Sequence, residues 1–188
     1  CTQRLKEELL VRARDPGDRA RLLASQATHS ADWLFALPIS AAGLRLSDEA
    51  VRVATGLRLG VKICEEHHCP CGATVDTLGT HGLSCRKSAG RHQRHSLIND
   101  IVWRALIKAK IQAMKEPPGL TRIDGKRPDV VTLIPWSHGR CLAWDVTVPD
   151  TLATSHLNRT SVIAGAAAEY AAELKTVKYS ELITHYDF

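Results

Sequence analysis

The sequence predicts an α+β chain in which a β-hairpin lies between two helices, behind a helical stretch and a Cys/His-rich loop. Three observations carry that expectation. Lys126–Val148 reads as two apolar, β-branched runs around a turn. The stretches before and after it are helical in pattern, the first with apolar residues at three- and four-residue steps and the second rich in Ala. Residues 64–85 hold few apolar side chains but several thiols and imidazoles, the composition of a segment ordered by a metal.

The first 60 residues read as short helices. Thr2 to Arg14 carries Leu5, Leu9 and Leu10 on one side. Asp15-Pro16 starts a second helix running to about Ser25, because Pro fits the first turn, where its missing N–H costs nothing. Trp33, Leu34, Phe35 and Leu37 form a compact apolar block ended by Pro38. Ser47 opens a third helix, with Leu46 and Val51 spaced as a hydrophobic staple and Gly60 stopping it after Leu59. No catalytic constellation stands out here. The expected role is packing, or linkage to a preceding domain.

Six Cys fall at positions 1, 64, 69, 71, 85 and 141, and four of them lie within 22 residues together with His67, His68 and His81. Such crowding points to a metal site in a reducing compartment more than to a disulfide framework. Cys69, Cys71, His81 and Cys85 supply three thiols and an imidazole, a set suited to closed tetrahedral zinc. Cys-x-Cys is tight for two ligands of one ion, so Cys64 is an alternative to Cys69 or Cys71.

Arg91, His92, Arg94 and His95 lead into a helix expected from about Ser96 to Met114, with Leu97, Ile98, Ile101, Val102, Ala105, Leu106 and Ala109 as a buried stripe. The two His are expected to meet phosphate at the surface. Between Arg86 and Arg127 there are 11 Lys/Arg against three acids, a local charge of +8 that leaves −3 for the remainder. That band is the expected footprint of a nucleic acid, with Arg91, Arg94, His95, Arg104, Lys108, Lys126 and Arg127 as contacts.

Glu116-Pro117-Pro118-Gly119 ends the helix, and the hairpin follows. If Trp136 and Arg140 close it over Ser137, His138 and Gly139, paired positions sum to 276 and Asp145 faces Val131. Asp129 and Asp145 then share a face, roughly 7–8 Å apart on the diagonal, where they can grip one hard divalent cation. A two-residue loop would set them on opposite faces. Asp145 sits inside Ala-Trp-Asp-Val-Thr-Val, where an unpaired carboxylate is costly. The last expected helix, Thr160 to Tyr179, is Ala-rich, with Glu169 and Glu173 early and Lys175 and Lys178 late; Lys175 and Tyr179 share a face.

The run Cys-x-Cys…His-x-x-x-Cys, RHQRH, RPD, Asp145 and Lys175-x-x-x-Tyr179 resembles the C-terminal region of non-LTR retrotransposon polyproteins, which carry a zinc knuckle and a restriction-like endonuclease. The resemblance covers roughly residues 64–180 and implies a PD-(D/E)XK nuclease core, a mixed β-sheet flanked by helices. It divides the chain into a helical linker (1–60), a zinc knuckle (61–90) and the nuclease (91–188), a piece of a longer polypeptide. It implies Asp129 and Asp145 as the catalytic acids, holding Mg²⁺ or Mn²⁺ with the main-chain carbonyl of Val146, and structural Zn²⁺ in the knuckle. Thr147 stands where the family's Lys is expected. In this branch the Lys comes from the following helix, which points to Lys175, with Lys178 as rival and Tyr179 as the accompanying tyrosine. The implied activity is nicking of target DNA in the nucleus to prime reverse transcription, with the element RNA as a further partner through the full-length polyprotein. The Thr147 departure keeps an alternative in view: an inactive, zinc-stabilised nucleic-acid-binding module with a nuclease-like fold. No apolar run is long enough to span a bilayer.

Overall fold

The structure, a computed structural model, describes residues 3–188, so Cys1 and Thr2 lie outside it. The chain forms two compact units. Among the described residues, one comprises 3–88 and 149–167, the other 89–148 and 168–188. Among the described residues no helix is long and apolar enough to cross a membrane.

In the first unit the local cap signals translate directly into helices. α1 spans Gln3–Arg12. α2 spans Pro16–Gln26, its N-cap Asp15 accepting from the Asp18 N–H. α3 spans Asp48–Leu59, capped by Ser47 and closed by Gly60 in the left-handed region. The expected compact block is different: a 3-10 turn, Asp32–Leu34, forms there, and Leu34 and Leu37 are exposed and Phe35 is 82% exposed. A short antiparallel hairpin follows, β1 (His67–His68) with β2 (Thr74–Val75), and then one turn of helix, α4 (His81–Ser84).

The second unit opens with α5, Ala89–Lys108, which starts seven residues before the expected Ser96. The turn after Cys85, closed by Ser88 N–H to Cys85 O, feeds the chain straight into helix. Its end is a Schellman motif: Ile111 N–H bonds Leu106 O, Lys110 N–H bonds Ile107 O, and Lys110 takes the left-handed conformation usually left to Gly. Met114 therefore belongs to a strand, not to the helix. Of the predicted stripe Leu106 is buried, but the other members are exposed, Leu97 61% and Ile101 67%, and the polar Asn99 is buried instead.

β3 (Ala113–Lys115), β4 (Val130–Thr132) and β5 (Cys141–Trp144) pair antiparallel in sequence order. The chain then runs through α6 (Leu157–Thr160), which joins the first unit where Arg19 Nε donates to Ser161 O. The single expected helix over 160–179 is broken by Gly165, at φ 81°, and resumes as α7 (Ala166–Lys178). α8 (Ser180–Ile183) leads to β6 (Tyr186–Asp187), which adds to β5 in parallel. The sheet order is β3-β4-β5-β6, so the fold is α+β with a mixed four-stranded sheet. Val130, Val131, Thr132, Ala143 and Tyr179 are buried in this unit.

The hairpin corrects the expected register. His138 and Gly139 both have positive φ and form a two-residue loop, with Ser137 bridging Arg140. Yet the strands pair as Val130 with Trp144 and Val131 with Ala143, a sum of 274. Six steps lead back from Ser137 to Val131 but only three lead forward from Arg140 to Ala143, so β4 bulges by three residues. An odd bulge after an even loop restores the face. Continuing the register one place sets Asp129 opposite Asp145.

Thr132 makes the bulge possible: its buried Oγ1 accepts Leu142 N–H at 2.9 Å and donates to Ile134 O at 2.9 Å. Thr132→Val keeps the shape and leaves that N–H unpaired. It is expected to cost about 1–3 kcal/mol in chemical denaturation without changing the fold by circular dichroism.

Candidate functional site

Asp129 is fixed by its backbone before its side chain is considered. Its N–H donates to Trp144 O at 2.9 Å and its C=O accepts Glu116 N–H at 2.7 Å, so neighbours hold it on both sides, and the preceding Pro128 is buried. Its Oδ2 accepts the Val146 N–H at 2.7 Å and lies 3.1 Å from His95 Nε2. Val146 thus meets the site through its N–H, where a carbonyl ligand is the expectation from sequence.

Asp145 is the more enclosed of the two carboxylates, its side chain 6% exposed against 21% for Asp129. Lys175 Nζ donates to Oδ1 at 2.6 Å, Lys178 Nζ to Oδ2 at 3.2 Å, and the Tyr179 hydroxyl lies 2.6 Å from Oδ2. Burial alone would raise the Asp145 pKa, but the bonds from Lys175, Tyr179 and Lys178 outweigh it and hold the group below the ordinary carboxylate value. This carboxylate therefore has partners in its apolar strand. Tyr179 is fully buried, and burial followed by the bond to Asp145 drives its pKa well upward, so it stays a donor. Its single proton has two acceptors, Asp145 Oδ2 and Arg127 O at 2.8 Å, while Lys178 donates to Oη at 2.5 Å.

Lys175 and Tyr179, expected on one face, both reach Asp145, and the rival Lys178 reaches it too. His95, expected on the phosphate-binding surface, faces Asp129 instead. It does so because α5 begins early enough to include it. Asn99, one turn further on, accepts Trp144 Nε1–H at 3.1 Å and fixes the helix against the strand that carries Asp145. The polar pair His95/Asn99 at i and i+4 is the signal in the sequence that points to this face.

Ligand atoms of His95, Asp129 and Asp145 all lie within 4.8 Å of one another, so these residues could hold a metal ion. Two carboxylates face two lysines here, so the cluster carries no net negative charge of its own, while Asp145 stays ionised.

The basic band is thinner than its sequence count. Asp100 takes Arg104 (3.6 Å) and Lys115, Asp124 takes Arg122 (3.3 Å) and Lys126 (3.6 Å), and Glu116 takes Arg127. Arg91 and Lys108 are exposed.

The second cluster is Cys69, Cys71, His81 and Cys85, whose donor atoms also lie within 4.8 Å. Cys69 and Cys71 stand in the turn between β1 and β2, where Gly72, at φ 93°, bonds back to Cys69 O; His81 and Cys85 are i and i+4 around α4. Cys69 Sγ and Cys85 Sγ are 3.7 Å apart, and Cys71 Sγ is 3.2 Å from His81 Nε2. Two thiolates at ~2.3 Å on a tetrahedral zinc would be ~3.8 Å apart, so the spacing fits without rearrangement. The Ala73 N–H, then the Cys69 thiol, hold the Cys71 pKa down to about 6, an anionic ligand at neutral pH. Cys64, the alternative ligand, instead donates to Asp76 O at 3.3 Å. This group could hold a metal such as zinc.

No protein-family model matches this chain, and neither does any curated protein or solved structure.

Proposed function

We propose that the chain is a metal-dependent DNA endonuclease with a zinc knuckle, of the restriction-like type found in non-LTR retrotransposon polyproteins, acting on nuclear DNA to open a site for reverse transcription. The observation that carries this reading is the convergence of the Lys175 and Lys178 amines and the Tyr179 hydroxyl on Asp145, beside Asp129. A structural ion pair needs one lysine. Two lysines and a tyrosine on one buried carboxylate keep it ionised and orient it.

Asp129 and Asp145 would hold Mg²⁺ or Mn²⁺, which supplies Lewis acidity at the scissile phosphate and makes water a better nucleophile. Lys175, partly exposed, orients the attacking water and offsets charge growing on the phosphate. Lys178 and Tyr179 keep Asp145 deprotonated and fixed, and Tyr179 gives up no proton. Arg91, Arg94, Arg104, Lys108, Lys126 and Arg127 face the DNA backbone, with no role in the chemistry. Thr147 at the family's lysine position favours the second reading, a binding module without activity.

Supercoiled plasmid separates the two. Nicking in Mg²⁺ that stops in EDTA is the expected result, and binding without nicking in either Mg²⁺ or Mn²⁺ supports the inactive module. A separate expectation concerns the band: Arg91→Ala with Lys108→Ala weakens binding to all sequences alike and reduces the salt slope by about 0.7–0.9 for each phosphate no longer neutralised. A gel-shift series over salt checks it, and a weakening confined to one sequence would contradict backbone recognition.

A further inference from the structure

Two oxygen-bearing side chains serve the cation in the expectation from sequence; the fold adds a nitrogen. His95 Nε2 is 3.1 Å from Asp129 Oδ2 and within 4.8 Å of a carboxylate oxygen of Asp145. The imidazole is 38% exposed, so it can turn its lone pair toward an ion without leaving a buried pocket. Its position is set by the Asn99–Trp144 bond one turn along α5. That bond fixes the helix independently of Asp129.

We infer that His95 is a third protein ligand, and that the site formed by His95, Asp129 and Asp145 takes an imidazole-accepting divalent transition ion, Mn²⁺ or Co²⁺, in preference to Mg²⁺. The inference rests on the nuclease reading for its setting but concerns the ion. Mg²⁺ takes carboxylate and water oxygens and parts reluctantly with its water, whereas affinity for a site with a nitrogen donor rises along the first-row series from Mn²⁺ to Co²⁺. A His/Asp/Asp set therefore discriminates between ions that two carboxylates alone would hold similarly. A simple His95–Asp129 ion pair would place the imidazole near one acid only. Here it closes a three-sided group with Asp145, whose carboxylate Lys175, Lys178 and Tyr179 orient from the other helix.

The test uses the full chain with one equivalent of zinc, so that the cysteine cluster is filled and no excess zinc competes with Mn²⁺. Mn²⁺ is titrated and followed by electron paramagnetic resonance, with Mg²⁺ as competitor. The expected results are nitrogen modulation from a coordinated imidazole in the parent protein, and its absence in His95→Ala. His95→Ala should also bind Mn²⁺ ~10-fold or more weakly while Mg²⁺ binding changes much less, and His95→Asp should shift the preference toward Mg²⁺. Mn²⁺ bound at Asp129 and Asp145 without nitrogen modulation overturns the inference and leaves the two-acid nuclease site standing. Mn²⁺ binding unaffected by Asp129→Ala and Asp145→Ala overturns the site itself. The spectrum of the parent protein decides even if a variant fails to fold.

Discussion

Asp145→Ala is expected to abolish metal-dependent nicking, with a rate loss beyond the ~10–100-fold typical of losing an outer-shell partner of a metal ligand. The carboxylate is the shared acceptor of Lys175, Lys178 and Tyr179, and on the proposed reading it would also be an ion ligand. Removing it leaves two ammonium groups, each 24% exposed, facing one another without an anion. The lysines then repel, and the geometry that orients water is lost along with the ligand. Part of the damage is structural: stranding partly buried charges should cost about 2–3 kcal/mol, below the full penalty for a deeply buried pair. Asp145→Asn separates the two effects, since the amide keeps its shape and one acceptor oxygen but not the charge. It should fold more stably than the alanine variant and cut no better. Affinity for DNA should stay within about threefold for both, because neither change touches a residue proposed to meet phosphate. Nicking by Asp145→Ala at the parent rate would end the nuclease assignment.

With zinc held by Cys69, Cys71, His81 and Cys85, which could take it, its removal should be the larger effect on folding. In the segment from Cys64 to Ser88 the buried side chains are Val75 and Cys85, far too little apolar surface to fix β1, β2 and α4. Structural zinc contributes on the order of 10 kcal/mol or more to such segments at neutral pH. Purified protein is expected to carry one zinc per chain. Strong chelation, or Cys85→Ala, should release the amides of residues 64–88 to rapid hydrogen exchange, and re-adding zinc should restore protection only in the parent. Exchange that stays slow in a chelated, zinc-free sample would show that the four donors are merely neighbours.

Elements whose ends are chemically marked are legible in the sequence. Asp15 with Pro16, Ser47 and Gly60 act on groups within one helical turn of themselves, so their effect needs no knowledge of the rest of the fold. The Cys/His cluster is legible because ligand type constrains the site more than spacing does. What the sequence hides depends on distant residues or on unmarked backbone. The end of α5 uses Lys110 where Gly would have been a signal, and its start follows from the turn after Cys85. The apolar residues expected as that helix's buried stripe satisfy periodicity, but Asn99, bonded to Trp144, decides which face turns inward. In the hairpin the shared face of the two acids agrees with expectation and the register does not, because the three-residue bulge depends on the Thr132 hydroxyl replacing a ladder bond. The role of His95 is hidden for the same reason: its partner is 34 positions away.

The excursion of residues 149–167 into the first unit has a consequence for taking the protein apart. The two units are joined by three chain crossings, after Ser88, Val148 and Ala167, so no single cleavage separates them. A protease that nicks the chain once leaves both units covalently attached. A fragment starting at residue 89 would carry 19 residues that pack with a unit it lacks, inserted between the half of the site bearing Asp145 and the half bearing Lys175. Isolating the second unit calls for replacing that insert with a short flexible linker, so that Val148 and residue 168 are joined without the sequence that belongs elsewhere.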